Sequence, residues 1–244
     1  MAASKIILFD LGSSGPRNKT WNLHAWKARF VLNYKGLDYE TEWLEYPDIK
    51  PRLQEHFPDN DIKLYTIPTA IMADGTYIMD SWNIAKAIEK DNPSPCLHLD
   101  SPLREKVEGH LISGRAALKP IYVPNVVRRL LKECNHAYWH ETRSKLLGMP
   151  IDQFEKEHGG DGKPYKAAAP DFQAVTAILK ENSEGPFFMG STVSYTDFIW
   201  AGFLIFCRRI GDDVFRSVLK TTGDAAAHLE LLRALEPWSE RDDH

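Results

Sequence analysis

Cysteine is scarce in this chain of 244 residues: Cys96, Cys134 and Cys207 lie far apart, and none belongs to a C-x-x-C pair. That excludes a disulfide framework and a cysteine-built zinc site, and it leaves three buried or inert thiols as the expectation. Long apolar runs are missing too. The longest, FIWAGFLIFC at 198 to 207, is about half of a membrane crossing, so no membrane association is expected. The N-terminus offers one Lys and then IILF before Asp10, short of the roughly 7 to 15 apolar residues of a secretory segment, and a soluble cytoplasmic protein is expected. Positive charge is not in excess. With 30 Lys and Arg against 34 Asp and Glu, the net charge is −4 and no basic stripe is interleaved with aromatics, so nucleic acid is not an expected partner.

What remains is an ordinary composition, 43% apolar and 26% charged, which argues against disorder and for a chain that buries a real core. The length suits one or two compact units sharing an interface.

Up to about Lys90 the periodicity keeps switching. KIILFD at 5 to 10 reads as a strand, and Trp26, Phe30 and Tyr34 at helical spacing predict a helix over 23 to 34. YETEWL at 39 to 44 alternates like a strand, and PDIKPRLQEHF is a broken polar segment with room for one short helix. TIPTAIM at 66 to 72 and TYIMD at 76 to 80 are β-rich runs around an Ala73-Asp74-Gly75 turn, and SWNIAKAIEK at 81 to 90 is helical behind Ser81. The order is βαβαββα. NPSPCLHLDSP at 92 to 102 carries three prolines and reads as a linker.

Beyond the linker, helical patterns dominate and no second sheet is expected. Val107, Leu111, Gly114 and Leu118 share one face, and further helices are expected around 126 to 147, 170 to 183, 196 to 210 and 224 to 236. Pro120 and Pro124 are read as interruptions, and 158 to 170 as an irregular loop. The helix at 198 to 207 is apolar on every side, hence central, and Ser194 with Asp197 predicts a capping box at its start. The predicted divisions are 1 to 91, a linker at 92 to 102, and an all-helical domain at 103 to 244.

A thioredoxin-like βαβαββα module followed by an all-helical domain resembles the glutathione transferase superfamily. Three motifs carry the resemblance: Ile67-Pro68 opening the third strand, Asp80-Ser81 ending the fourth, and the box Ser194-Tyr195-Thr196-Asp197. The run W-x-x-x-x-W-K-x-R-x-x-L-N-Y-K-G at 21 to 36, with EYPDI at 45 to 49, is similar to the etherase-like branch, the fungal FuA class related to bacterial β-aryl etherases. The resemblance implies glutathione as co-substrate, a cis Ile67-Pro68 bond presenting backbone to its cysteinyl part, Asp80 and Ser81 holding its γ-glutamyl group, and a homodimer. It also implies an apolar, aromatic acceptor near Trp26, Tyr122 and Pro124.

Chemistry of the residues agrees with those roles. A carboxylate suits the helix N-terminus at Ser81 and the Trp82 amide, and Asp80 can pair with an ammonium. In TWNLHAWKAR, at 20 to 29, a side-chain donor at the start of the helix would favour the thiolate of a bound thiol. The etherase-like branch carries Ser there, in W-S-P-N-x-W; this chain has Asn22, with Leu23 in the Pro position and His24 in the Asn position. Asn22 can donate through its amino group, but covalent cysteine chemistry is excluded. Thr20 is the nearest alternative hydroxyl and His24 an alternative base. Alternatively, Asn22 serves only as a helix cap, Ser81 only caps its own helix, and the protein binds glutathione or an aromatic ligand without turnover. His136 and His140, four apart, lack a third ligand, so no metal is expected.

Overall fold

The computed structural model describes residues 5 to 15, 17 to 60 and 64 to 243. Strand β1 (Ile6–Leu11) pairs in parallel with β2 (Tyr39–Leu44) across the helix α1 (Leu23–Tyr34), the usual consequence of a β-α-β connection. Short helical turns flank α2 (Ile49–Leu53), after which β3 (Thr69–Ile71) and β4 (Tyr77–Met79) complete the sheet. Its order is β2-β1-β3-β4, with β3 antiparallel to both neighbours. Gly75, at φ 87°, makes the expected turn between β3 and β4 where the Met72 amide donates to the Thr76 carbonyl. Helix α3 (Ser81–Asp91) closes this part of the chain.

Helices alone follow: α4 (Leu103–Ala117), α5 (Lys119–Arg129), α6 (His136–Leu147), α7 (Ile151–His158), α8 (Lys163–Leu179), α9 (Tyr195–Ile210), α10 (Asp212–Thr221), α11 (Ala225–Ala234) and α12 (Glu236–Ser239). As its composition predicts, α9 is buried along almost its whole length. It packs on α1 through parallel rings of Phe30 and Phe198, 5.1 Å apart. Gly202 permits that approach, since a Cβ there would lie 2.9 Å from the Leu23 carbonyl oxygen. Gly114 does the same for α4, where a Cβ would meet the Phe172 ring of α8 at 2.3 Å. At the start of α9 the buried Asp197 accepts the Ser194 amide and hydroxyl, both at 2.7 Å, and the Phe188 amide at 2.9 Å.

Several expectations beyond the linker need correction. Pro120 and Pro124 do not interrupt the helical region. Pro120 occupies the first turn of α5, where no amide partner is needed, and Pro124 is carried inside the helix at the loss of one hydrogen bond. The helix expected over 126 to 147 is two, because the chain turns after Leu130, whose amide closes on Val126, and restarts at His136. Residues 163 to 170, read as loop, form the first half of α8, with Pro164 in its first turn and Pro170 in its interior. Helices α7 and α10 were not expected. Among the described residues no helix is long and apolar enough to cross a membrane.

Candidate functional site

Strand directions bring the predicted residues to one edge. Because β1 and β2 are parallel, α1 runs back between them and begins at the C-terminal edge of β1. β3 is antiparallel to β1, so Ile67-Pro68, just before it, lies at that edge; β4 runs parallel to β1, so Asp80-Ser81, just after it, lies there too. Asn22, Ile67, Pro68, Asp80 and Ser81 are thus placed at the same edge of the sheet.

Each is held by a local device. Asn22 has extended dihedrals and caps α1: its Oδ1 accepts the amides of His24 at 2.8 Å and Ala25 at 3.4 Å. The capping role therefore uses only the oxygen. The Ile67-Pro68 peptide is cis, as the resemblance implied, and the Ile67 amide and carbonyl stand outside the ladders, which begin at Thr69. The Asp80 amide donates to the Pro68 carbonyl at 3.0 Å, joining the two motifs. Asp80 itself sits at φ 82° and caps α3, with Oδ1 accepting the Trp82 amide at 2.9 Å. Ser81 is buried beside Tyr195, whose phenol is pushed up by burial and drawn back by the Ser81 hydroxyl.

The alternative residues sit differently. Thr20 is fully buried, its amide donating to the Asp242 carbonyl at 2.8 Å and its hydroxyl without a partner among the described residues. His24 is held down to about 3, first by burial and then by the cations Lys27 and Arg115, so its imidazole is neutral at pH 7 and a weak base. Lys27 is itself buried and paired with Glu108 of α4 at 2.9 Å; Glu108 also takes Arg104, whose guanidinium lies 4.2 Å from the centre of the Trp82 ring.

Of the predicted acceptor residues, Trp26 is 1% exposed, packs on Phe30 and leaves its indole N–H without a partner among the described residues. Pro124 is buried inside α5. Only Tyr122 keeps partial exposure, edge-on to Phe206 at 5.8 Å, its phenol raised by burial and drawn back by Arg115 and Arg143.

Two features escaped the sequence reading. The fully buried pair Asp10 and Arg29 joins β1 to α1 at 2.9 Å. A second link between the sheet and the helices is built on Tyr46, whose amide donates to Asn135 Oδ1 at 2.8 Å, whose ring meets Trp139 and Tyr138, and whose neighbour Glu45 takes Lys132 at 2.7 Å. Partners separated by nearly a hundred residues leave no local signal. His136 turns a ring nitrogen to the Leu131 carbonyl, and among the described residues no three metal-ligating side chains cluster.

Comparison with known proteins agrees with this architecture. Residues 23–91 match the model of the glutathione S-transferase N-terminal domain, and residues 109–238 that of a glutathione S-transferase C-terminal domain. A glutathione S-transferase-like protein, ustS, of Aspergillus flavus is 27% identical over 88% of this chain and 85% of its own. Glutathione transferase GSTFuA3 of Phanerochaete chrysosporium superposes with a TM-score of 0.81 at 24% identity, over 97% of this chain and 98% of that one. A glutathione S-transferase of Ceriporiopsis subvermispora, solved in complex with glutathione, superposes at 0.79 with 26% identity over 96% and 98%. With both domain models matched in order along it, this chain belongs to the glutathione S-transferase family.

Proposed function

We propose that the protein is a glutathione transferase of the etherase-like branch, in which glutathione thiolate attacks an electrophilic carbon of an aromatic or ether-bearing small molecule, forming a C–S bond and either displacing the ether oxygen with its bonding electron pair or adding to a conjugated system. Residues 1 to 91 form the glutathione-binding domain, 92 to 102 the linker and 103 to 244 the helical domain of a cytoplasmic homodimer. Asp80 and Ser81, with the first turn of α3, hold the γ-glutamyl group; the backbone at Ile67 meets the cysteinyl part. Asn22 donates to the sulfur and favours its ionised form, and Tyr122 borders the acceptor. Stabilising and positioning the thiolate lowers the barrier by several kcal/mol in enzymes that work this way.

The observation that carries this reading is the division of labour in Asn22: its Oδ1 is spent on the helix, and its amino group makes no hydrogen bond among the described residues. The similarity to a fungal relative solved with glutathione supports the co-substrate. A neutral His24 supports a mechanism by thiolate stabilisation over one by general base. Glutathione consumption assayed with a β-aryl ether and with a chlorodinitrobenzene tests it. Turnover of the ether supports the etherase-like reading; binding to immobilised glutathione with no turnover of either compound selects a non-catalytic binder.

A further inference from the structure

The end of α12 and the residues after it run back along α1. The Trp238 ring meets Tyr34 edge-on at 5.0 Å and its carbonyl accepts the Asn33 side chain at 2.7 Å, both in the last turn of α1. Arg241 reaches the beginning of β2: it donates to the Tyr39 carbonyl, pairs with Asp38 at 3.4 Å, and lays its guanidinium 3.9 Å from the centre of the Tyr39 ring. Asp242 lies at the other end of α1, where its carbonyl accepts the Thr20 amide at 2.8 Å. This strap therefore touches both ends of the helix that Asn22 caps.

Asp242 is its most connected member. Besides the Thr20 amide, it holds Lys19, whose Nζ stands 3.3 Å from each carboxylate oxygen, and Arg209 in the last turn of α9. Its side chain is 13% exposed, so these pairs are screened less than pairs in open solvent. Thr20 makes no side-chain hydrogen bond among the described residues, and its amide is the tether. Through backbone and carboxylate together, one residue fastens the turn before α1 to the end of α9. Asn22 is two residues beyond Thr20. A donor aimed at a reacting atom works only while the elements behind it hold it within a fraction of an ångström.

We propose that Asp242 is a positioning residue: it pins the turn before α1 so that the Asn22 amino group meets the sulfur of bound glutathione. This role rests on the transferase reading of Asn22, whereas the tether itself does not.

Hydrogen exchange of the ligand-free chain and ultraviolet titration of bound glutathione test this on the same variants. Asp242→Ala keeps the backbone carbonyl and loses both ion pairs. Peptides covering 17 to 23 should exchange about tenfold faster, the scale of one lost charge-assisted hydrogen bond, while those from β1 and the middle of α9 keep the parent's rate. The bound thiol should titrate nearer to free glutathione, whereas the Kd of S-methylglutathione, which has no thiol, should stay within about twofold. Asp242→Glu should recover part of both effects. In an Asn22→Ala background, Asp242→Ala should move the thiol no further, as expected of a residue that acts through Asn22. Parent-like exchange over 17 to 23, a thiol titration unmoved by Asp242→Ala, or a further shift in the Asn22→Ala background overturns the proposal. If Asp242→Ala fails to fold, Lys19→Gln decides by the same readouts, since that side chain is 45% exposed. A parent whose bound thiol is not depressed refutes the transferase reading of Asn22 and this role with it; exchange in the ligand-free chain is blind to that failure, so the two are told apart.

Discussion

Asn22 Oδ1 accepts the backbone amide of His24 at 2.8 Å, so the residue standing where the etherase-like branch has Ser performs the same capping that a serine would. Replacing Asn22 by Ala removes cap and donor together, costing about 1 kcal/mol of stability whatever happens to catalysis. Asn22→Asp keeps the capping oxygen and removes the donor. Thermal unfolding should separate them, with Asn22→Ala melting below the parent and Asn22→Asp close to it or above it, since a carboxylate at a helix N-terminus is favourable.

At the opposite end of the proposed glutathione site, Asp80 caps α3 and, in the proposed role, also meets an ammonium. Asp80→Asn retains a capping oxygen and tolerance of positive φ, yet gives up the charge. Its affinity for glutathione should fall by about 1 to 3 kcal/mol with little change in the urea midpoint. An unchanged Kd by calorimetry would remove Asp80 from the site.

His228 should govern stability in acid. The Trp200 indole donates to its Nδ1 at 2.8 Å, and its Nε2 faces Thr176 Oγ1 at 2.8 Å, linking α8, α9 and α11. Burial holds its folded pKa down to about 4. Below pH 6.5 the unfolded chain gains a proton there that the folded protein refuses until about pH 4, so the stability contributed by this group is present above that window and lost as pH falls through it. His24, held to about 3, acts in the same direction. Asp197 opposes them: burial raises it to about 6, so it favours the folded state below pH 4 and loses that contribution between about 4 and 6. Urea midpoints should therefore fall between pH 6.5 and 4. His228→Leu should flatten that slope while costing about 1 to 3 kcal/mol for each buried partner left without a hydrogen bond. A slope identical to the parent's would refute the assignment.

Substitutions in the Asp10 and Arg29 pair should be non-additive. Arg29 also donates to Thr41 Oγ1 at 2.9 Å and lies 5.1 Å from the centre of the Trp43 ring. Asp10→Ala leaves a buried guanidinium without its carboxylate and should cost about 3 to 5 kcal/mol, whereas replacing both partners, as Asp10→Leu with Arg29→Met, should cost less than either single change. Denaturant titration of Asp10→Ala, Asp10→Leu, Arg29→Met and the double variant measures this; strictly additive losses would contradict it.

The sheet and its edge were legible because alternation, a Gly turn and a proline at a strand start are local signals. The buried course of α9 was legible too, since FIWAGFLIFC has no polar face. Prolines misled: Pro120 and Pro124 are read as interruptions, but Pro120 sits in the first turn of α5 and packing outweighs the one bond lost at Pro124; the segment read as an irregular loop up to Pro170 holds the first half of α8, with Pro164 in its first turn. Lys27 and Arg29 look like the exposed side of an amphipathic helix, and only partners from β1 and α4 explain their burial. Trp26 looked like a pocket wall because an aromatic near a reactive turn can face either way; the close approach of α9 at Gly202 fixes it inward.

The central claim is that Asn22 donates to the sulfur of bound glutathione, and ultraviolet absorbance of the thiolate followed against pH tests it most directly. In the parent the bound thiol should titrate below free glutathione. Asn22→Ser should keep that depression, and Asn22→Asp should raise the bound pKa to or above the free value, because the donor is replaced by a negative charge while the cap survives. Should Asn22→Asp titrate like the parent while Thr20→Val or His24→Ala shifts the curve, the donor lies elsewhere and the account is wrong.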